Sequence, residues 1–532
     1  MDSTFTNLHV GRHRIYTDEK TINKDNVVAA LASAYTKHRQ NVMDMEFLID
    51  YESGIHPKIR DRVKEIRPSI DYKVADNIAH YITRFKVGYF WGSDAIYIQR
   101  GNNEIHETEG LEDNKGIAGL NEMLVNGEDI SHKRQAIAEF VEKVGVGYSM
   151  VDVKSADEYD GSIINDDGVY VDSPCHVYDL DSRTTFIVYH NGVGQKEVMG
   201  VTYVVRENNS KVFTCYTADS IYTIENAEIK SVSINLFGMI PIVEWDRSTT
   251  RAGCFEHCIE DMDALDVLVS DAANDSTQRT QDIWWGHNIQ LPTDENGKTQ
   301  APESGEWVLT YTPQGLNDRA SDAKISPLAS TYDGASAQSQ IYRKFNHILQ
   351  KCFVPIQAEF SGGGSTGSAM DMSSGWSAME LDALSEEASI KHAMRKELRL
   401  ILRAITFVPE SLLPSDSPIR KLHHTDIDTH FPRRRNYDLS VKANALATLL
   451  GRGVYPPHCL KAVEIFPDNE QVWRDSMEMM LEYQKKVCIQ QPTQSGSQAT
   501  NSEEEMGADD RILQDSSDQS SNSPIIGGFL KD

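Results

Sequence analysis

Apolar positions recur along this chain with two different periods, and the changes from one to the other divide it. Residues 24–50 carry a helical pattern. From Lys73 to Phe85, Val74, Ile78, Tyr81, Ile82 and Phe85 fall on one face at the 3.6-residue period of an amphipathic helix. The run from Val87 to Gly92 then turns towards a strand pattern, which Ala95 to Ile98 continue. Two more helical patterns cover about 116–126 and 130–144. From Gly147 to about residue 245 the chain reads mostly as strand, with runs at 148–153, 185–189, 201–205 and 212–216. Asn191-Gly192 and Asn208-Asn209 supply turns between the last three. Residues 1–250 are therefore expected to form one α+β domain with a largely antiparallel sheet.

The pattern changes again after residue 250. Phe255, Cys258, Ile259, Met262, Leu265, Val269 and Ala272 make a helical stripe over 254–281. The rest of that helix is acidic: Glu256, Glu260, Asp261, Asp263, Asp266, Asp271 and Asp275, with Arg279 as its one Lys or Arg. A compact insert follows, strand-like at 283–285 and 306–311, with a polar turn at Asp294-Glu295-Asn296-Gly297. Helix returns at about 335–353, with Ile341, Phe345, Ile348, Leu349 and Cys352 on one side. A glycine-serine run comes next: Ser361, Gly362, Gly363, Gly364, Ser365, Thr366, Gly367 and Ser368. Glycine lets such a backbone reorient at little steric cost, so a mobile loop is expected.

Behind the loop, residues 376–408 read as one long helix. Its first half carries Glu380, Asp382, Glu386 and Glu387, and its second half Lys391, Arg395, Lys396, Arg399 and Arg403. That order suits the helix dipole. Residues 425–430 make a short candidate return strand. Residues 439–486 are helical, broken at Gly451-Arg452-Gly453 and Pro456-Pro457. From about 487 the chain is rich in Gln, Ser and Asp, and disorder is expected there.

Composition narrows the function. With 52 Lys+Arg against 80 Asp+Glu, the net charge is −28. That argues against a monomer gripping nucleic acid through a broad basic face, but not against a surface past which DNA slides. Seven scattered cysteines fit reduced thiols and a cytosolic setting. The first residues show no signal-peptide pattern, and no segment reaches the roughly 18 apolar residues of a membrane span.

Motifs for chemistry are weak. Cys254 and Cys258 stand one helical turn apart, but no second pair completes a zinc site. The glycine-rich run lacks the lysine of a phosphate-binding loop and follows a helix. Asp179 and Asp181 offer paired carboxylates that read better as a turn between strands. Arg433-Arg434-Arg435 fits either a phosphate contact or an intersubunit salt-bridge cluster. Trp284, Trp285 and Trp307 read first as core, but three of them in so small an insert raise the chance of a subunit or partner interface.

The order of several segments carries more. Lys73-Val74-Ala75-Asp76-Asn77 leads into Phe85-Lys86-Val87-Gly88-Tyr89-Phe90-Trp91-Gly92. Gly145-Val146-Gly147-Tyr148 and Gly238-Met239-Ile240-Pro241-Ile242-Val243-Glu244-Trp245 follow. Then come Ser270-Asp271-Ala272-Ala273-Asn274-Asp275 and Ser374-Gly375-Trp376-Ser377-Ala378. Over roughly residues 25–485 this series resembles the portal proteins of tailed bacteriophages, of the siphophage type.

The resemblance implies an α+β portal fold with wing, stem, clip and crown regions, assembled as a ring of twelve subunits around a central channel at one capsid vertex. It implies a wing from 1–250, a first stem helix in 251–281, a clip in 282–332 and a second stem helix in 333–355. A tunnel loop would span 356–375, with the long helix and wing return in 376–438, a crown in 439–486 and a tail in 487–532. The tunnel loop would bring the glycine-serine run, with Met370, Asp371 and Met372, to the DNA. Glu256, Glu260, Asp263, Asp271 and Asp275 would make the stem acidic, and Trp284, Trp285 and Trp307 would form a clip interface. The implied partners are terminase, a head-completion adaptor, major capsid and scaffolding proteins, and double-stranded DNA in packaging and ejection. The implied setting is the virion, with host cytoplasm during assembly. The resemblance implies no enzyme, cofactor, metal or membrane. On the residues alone two other classes stay open: a non-phage ring scaffold, and a metal-dependent nuclease using Asp179 and Asp181.

Overall fold

A computed structural model describes residues 10–64, 68–99, 113–159, 161–165, 168–280, 284–287, 307–310, 324–327, 334–356, 375–431, 439–463, 465–466, 472–473 and 476–481. The chain divides into two units, Met1–Asp468 and Asn469–Asp532. In the second, residues 472–473 and 476–481 are helical, and Ser476 Oγ donates to the Val472 carbonyl at 2.6 Å.

The first unit opens with β1 (Ile15–Thr17), α1 (Val27–Glu52), α2 (Pro57–Arg60), α3 (Ile78–Trp91), β2 (Ile96–Gln99), α4 (Asp113–Glu128) and α5 (Ile130–Val144). Strands follow: β3 (Val146–Val153), β4 (Cys175–Leu180), β5 (Thr185–His190), β6 (Glu197–Val205), β7 (Lys211–Tyr216), β8 (Ser220–Glu225), β9 (Glu228–Ile234) and β10 (Ile242–Asp246). A six-stranded sheet runs β1-β5-β6-β7-β8-β9, antiparallel except for the parallel β1–β5 pair. A second sheet, β10-β3-β4, is antiparallel throughout. The expected mixed α+β architecture is present.

The helix expected from Lys73 to Phe85 starts later and ends later. It begins at Ile78, where the Asn77 side chain caps it by accepting from the His80 amide. It then runs through Val87, Phe90 and Trp91, where a strand was expected. Ile78, Ala79, Ile82, Thr83, Lys86, Val87 and Phe90 are buried along one helical face, so the same period continues to the end. A short apolar run cannot be told apart as helix or strand by content alone. Gly145 ends α5 in the left-handed region, at φ 83°, and a Cβ there would meet the Arg251 carbonyl at 2.2 Å.

The C-terminal half of this unit contains α6 (Ile259–Thr280), then the short strands β11 (Trp284–His287), β12 (Trp307–Thr310) and β13 (Lys324–Pro327), then α7 (Gly334–Lys351). The long helix α8 (Trp376–Phe407) follows. Next come β14 (Ile427–His430), α9 (Leu439–Gly451) and α10 (Pro456–Val463). The return strand is real: β14 pairs antiparallel with β2, so the chain comes back to its N-terminal part.

Three apolar clusters hold these pieces. One lies between α1 and the six-stranded sheet, with Leu31, Phe186, Val201 and Cys215. One lies between α4, α5, the β3 sheet and α8, with Leu120, Val141, Trp245, Ile390 and Ile401. The third joins α1 and α3 to the neighbouring ends of α6 and α7, through Leu48, Ile82, Met262, Leu265, Ile348 and Leu349.

Candidate functional site

The block from α6 to α8 is the candidate functional region, and its construction starts at the base of α6. Helices α6 and α7 pair so that Lys344 and Lys351 of α7 both grip Asp261 of α6, at 2.6 and 2.5 Å. Those two ammonium groups hold the Asp261 carboxyl down at about 2. Cys258, just before α6, and Cys352, just after α7, face each other with their sulfurs 3.3 Å apart. The far ends of the two helices carry the insert. There β11 pairs parallel with β12 and antiparallel with β13, a third strand that the sequence pattern did not reveal.

Helix α6 is locked along its length to the segment that precedes α3. Asp266, Ser270 and Asn274 are buried and stand one turn apart. Each accepts a hydrogen bond from the extended segment before α3: Asp266 from the Asp76 amide at 2.7 Å, Ser270 from Val74 at 3.0 Å and Asn274 from Tyr72 at 2.7 Å. Three polar residues of α6 thus satisfy the backbone of a strand-like segment that would otherwise bury bare amides. This explains why residues 72–76 are not helical.

Asp263, Asp266 and Asp271 of α6, and Glu256 in the turn before it, have partners that come from elsewhere in the chain. Glu256 is buried, ion-paired with Arg12, and accepts from the amides of Gly11 and Gly253. Asp263 accepts from the Tyr51 hydroxyl at 3.0 Å and lies 3.6 Å from Lys58. Asp266 also meets His56 Nδ1 at 2.5 Å, under a His56–Tyr51 ring stack of 4.0 Å. Asp271 pairs with Arg62 at 2.8 Å. Glu260 and Asp275 are exposed. The uniformly acidic look of the helix in sequence therefore gives way to a helix held by Arg12, His56, Lys58, Arg62, Lys344 and Lys351.

Helix α8 is fixed by buried charge. Its inward face is apolar at Met379, Ala383, Ile390, Ala393, Met394, Leu398 and Ile401, but it also carries the carboxyls Glu386 and Glu397. Glu397 accepts from Arg134 at 3.2 Å and from Ser149 at 3.0 Å, and Ser149 in turn accepts from the Trp245 indole at 2.9 Å. Asp382 accepts from Lys86 at 2.5 Å and from Arg247 at 2.7 Å. Arg247 also reaches Glu142 at 3.0 Å and Glu386 at 4.0 Å. Burial, and then the neighbouring Glu142, push the Glu386 carboxyl well above the usual range. Lys396 ties the second half of α8 to Glu197 and to the Ile242 carbonyl at 2.5 and 2.7 Å.

Other residues singled out in the sequence fall as follows. Trp284 of β11 and Trp307 of β12 are Cα partners in the parallel pair, and the Trp285 ring stacks on His287 at 5.6 Å. Asp179 lies on β4, and the Asp181 carboxylate is gripped by Arg183 at 2.6 Å in the following turn. Among the described residues no three His, Cys, Asp or Glu side chains gather as metal ligands would, and no helix is long and apolar enough to cross a membrane. The glycine-serine run with Met370, Asp371 and Met372, the Arg433-Arg434-Arg435 cluster and the tail from 487 lie outside the described residues. Sequence reasoning missed the Cys258–Cys352 pair. The one available signal was that each cysteine lies on the apolar stripe of its own helical pattern.

No curated protein matches the chain. The model of the phage portal protein family of the SPP1 Gp6-like type matches residues 32–460, most of the chain, and the protein belongs to that family.

Proposed function

We propose that the chain is the subunit of a portal ring at one vertex of a tailed-phage capsid, through which double-stranded DNA is packaged and later ejected. Family membership carries this reading: portal proteins are structural components of the virion and connect head to tail. The pairing of α6 with α7 and the anchoring of α8 support it, because a subunit of a channel must hold its channel elements rigidly against thrust from the DNA.

In this reading residues 1–250 and 376–438 form the wing, 251–281 and 333–355 the stem, 282–332 the clip and 439–486 the crown. Residues 356–375 form the tunnel loop, with Ser361 to Ser368 and Met370 to Met372 nearest the DNA. The clip docks terminase and later the adaptor, and the wing meets capsid and scaffolding proteins. The net charge of −28 keeps phosphate from adhering to the wall. The subunit hydrolyses nothing; the ATP-driven work belongs to terminase.

Electron micrographs and native mass spectrometry of the purified protein test the ring. A closed ring of about twelve subunits with a central channel is expected, following the family resemblance, and a protein that stays monomeric in every condition that supports head assembly would overturn it. Shortening residues 362–367 tests the DNA role separately: rings still form while packaging stops.

A further inference from the structure

Six of the seven cysteines lie in the described part, all buried and none in a disulfide. Cys175 lies 3.6 Å from the Ser173 hydroxyl and Cys215 lies in an apolar cluster, neither beside another cysteine, and burial pushes both thiols up to about 12. Cys254 sits 3.7 Å from the Thr83 hydroxyl and is likewise pushed up by burial. Cys258 differs. Its sulfur faces the thiol of Cys352 at 3.3 Å, and that contact, with Lys351 and Lys344 close by, lowers it below the ordinary thiol value. The same contact, in which the Cys352 thiol donates to the Cys258 sulfur, raises Cys352. Two sulfurs in contact, with ammonium groups near the one that loses its proton more readily, make the arrangement in which cysteine is reactive.

The two sulfurs belong to different helices and stand 94 positions apart in sequence. Both are at the base of the helix pair, away from the insert. Closing the gap to a covalent bond needs a movement of about 1.2 Å. We propose that Cys258 and Cys352 are an oxidisable dithiol, which a peroxide converts into a disulfide that staples α6 to α7 and closes the chain between them, insert included, into a covalent loop.

The step balances. The Cys258 thiolate attacks one oxygen of hydrogen peroxide, the O–O bond breaks, and hydroxide leaves and takes up a proton as water. The sulfur of Cys352 gives up its proton and attacks the sulfenic sulfur. The S–S bond forms, the S–O bond breaks, and a second water leaves. Two thiols are oxidised and one peroxide is reduced. The timing rests on the portal reading: a subunit assembled in a reducing cytoplasm and then carried in a free particle passes into oxidising surroundings, where the staple would form. The chemistry itself does not depend on that reading.

The test uses the full-length wild-type protein, treated with hydrogen peroxide, alkylated and digested without reductant. A peptide containing Cys258 joined to one containing Cys352, two hydrogens lighter than the pair, is expected in the majority of chains. Faster migration on a non-reducing gel should accompany it. In C352S the cross-link is lost and Cys258 is recovered as sulfinic acid. The proposal is overturned if most wild-type chains return both cysteines alkylated, or if Cys258 is joined instead to Cys254 or to another chain. A C352S protein that fails to fold leaves this result standing, because the map is read on wild type. Failure of the cross-link would leave ring formation untouched, so the two readings fail separately.

Discussion

Arg247 and Asp382, 135 positions apart in sequence, meet at 2.7 Å, with the guanidinium donating to a carboxylate that also accepts from Lys86 at 2.5 Å. One carboxylate of α8 thus answers two cations from different elements, and Lys86 is only 2% exposed. Removing it leaves buried charge without its partner, which costs about 3–5 kcal/mol. Asp382→Ala should lose most of that amount in urea unfolding. Asp382→Asn should lose less, because its amide oxygen still accepts. An unchanged midpoint in D382A would mean that α8 is held by its apolar face alone.

The same cluster contains more acid than base. Glu142 from α5 with Asp382 and Glu386 from α8 face Lys86 from α3 and Arg247 after β10, with the Cys254 thiol alongside. One oxygen each of Glu142 and Glu386 is buried without a hydrogen bond. Three carboxyls against two cations leave room for one proton, and Glu386 is the group pushed up. A carboxyl with a raised folded pKa binds its proton more tightly in the native state than in the unfolded one. Stability from this group is therefore present below the unfolded value near 4.5 and is lost as pH rises towards the folded value. Glu386→Gln should match wild type at pH 4.5 and be the more stable of the two at pH 8. The gap should open by up to about 1.4 kcal/mol per pH unit. A constant gap across that range would mean that Glu386 is ionised throughout.

A second pH effect has the opposite sign. His38 is stacked on Phe186 at 4.4 Å, its Nε2 donates to the Arg183 carbonyl at 3.0 Å, and burial lowers it to about 4. Between pH 6.5 and 4 the unfolded chain holds the extra proton and the folded one does not. Stability is therefore lost as pH falls through that window, by on the order of 3 kcal/mol at its lower end. Denaturation at pH 7 and pH 5 should show this loss in wild type and not in His38→Gln.

The readable part of this fold was periodicity. Helices α1, α4, α5, α7 and α8 and strands β3, β5, β6 and β7 lie close to where their apolar spacing puts them, and so does the return strand β14. The errors have one cause. Residues 72–76 look helical until Asp266, Ser270 and Asn274 are seen to bind their backbone. Residues 87–91 look like strand until Lys86 is seen to be buried on the same helical face. The acidic run around α6 looked unrelieved because its partners, Arg12, His56, Lys58 and Arg62, are about 200 residues or more away in sequence. Long-range pairing of this kind leaves no local trace, whereas the order of motifs that signalled a portal is a property of the linear chain.

Assembly and folding can be separated by position on the paired helices. Leu265 is fully buried against Ile348 and Leu349, and Phe345 packs partly against the same cluster. Leu265→Asp and Phe345→Asp should both abolish rings, but L265D does so by breaking the base of the helix pair. Burying an unpaired carboxylate there costs several kcal/mol. Tyr342 lies one turn before Phe345 and is 44% exposed, so it is available to a neighbouring subunit. Tyr342→Asp should leave the unfolding midpoint of the monomer within about 0.5 kcal/mol of wild type, as surface changes do. Native mass spectrometry should then show fewer rings in Y342D, with the released subunits still folded by circular dichroism. Normal rings in Y342D would mean that this face of α7 does not contact a neighbour, and would move the proposed subunit contact to another face of the α6–α7 pair.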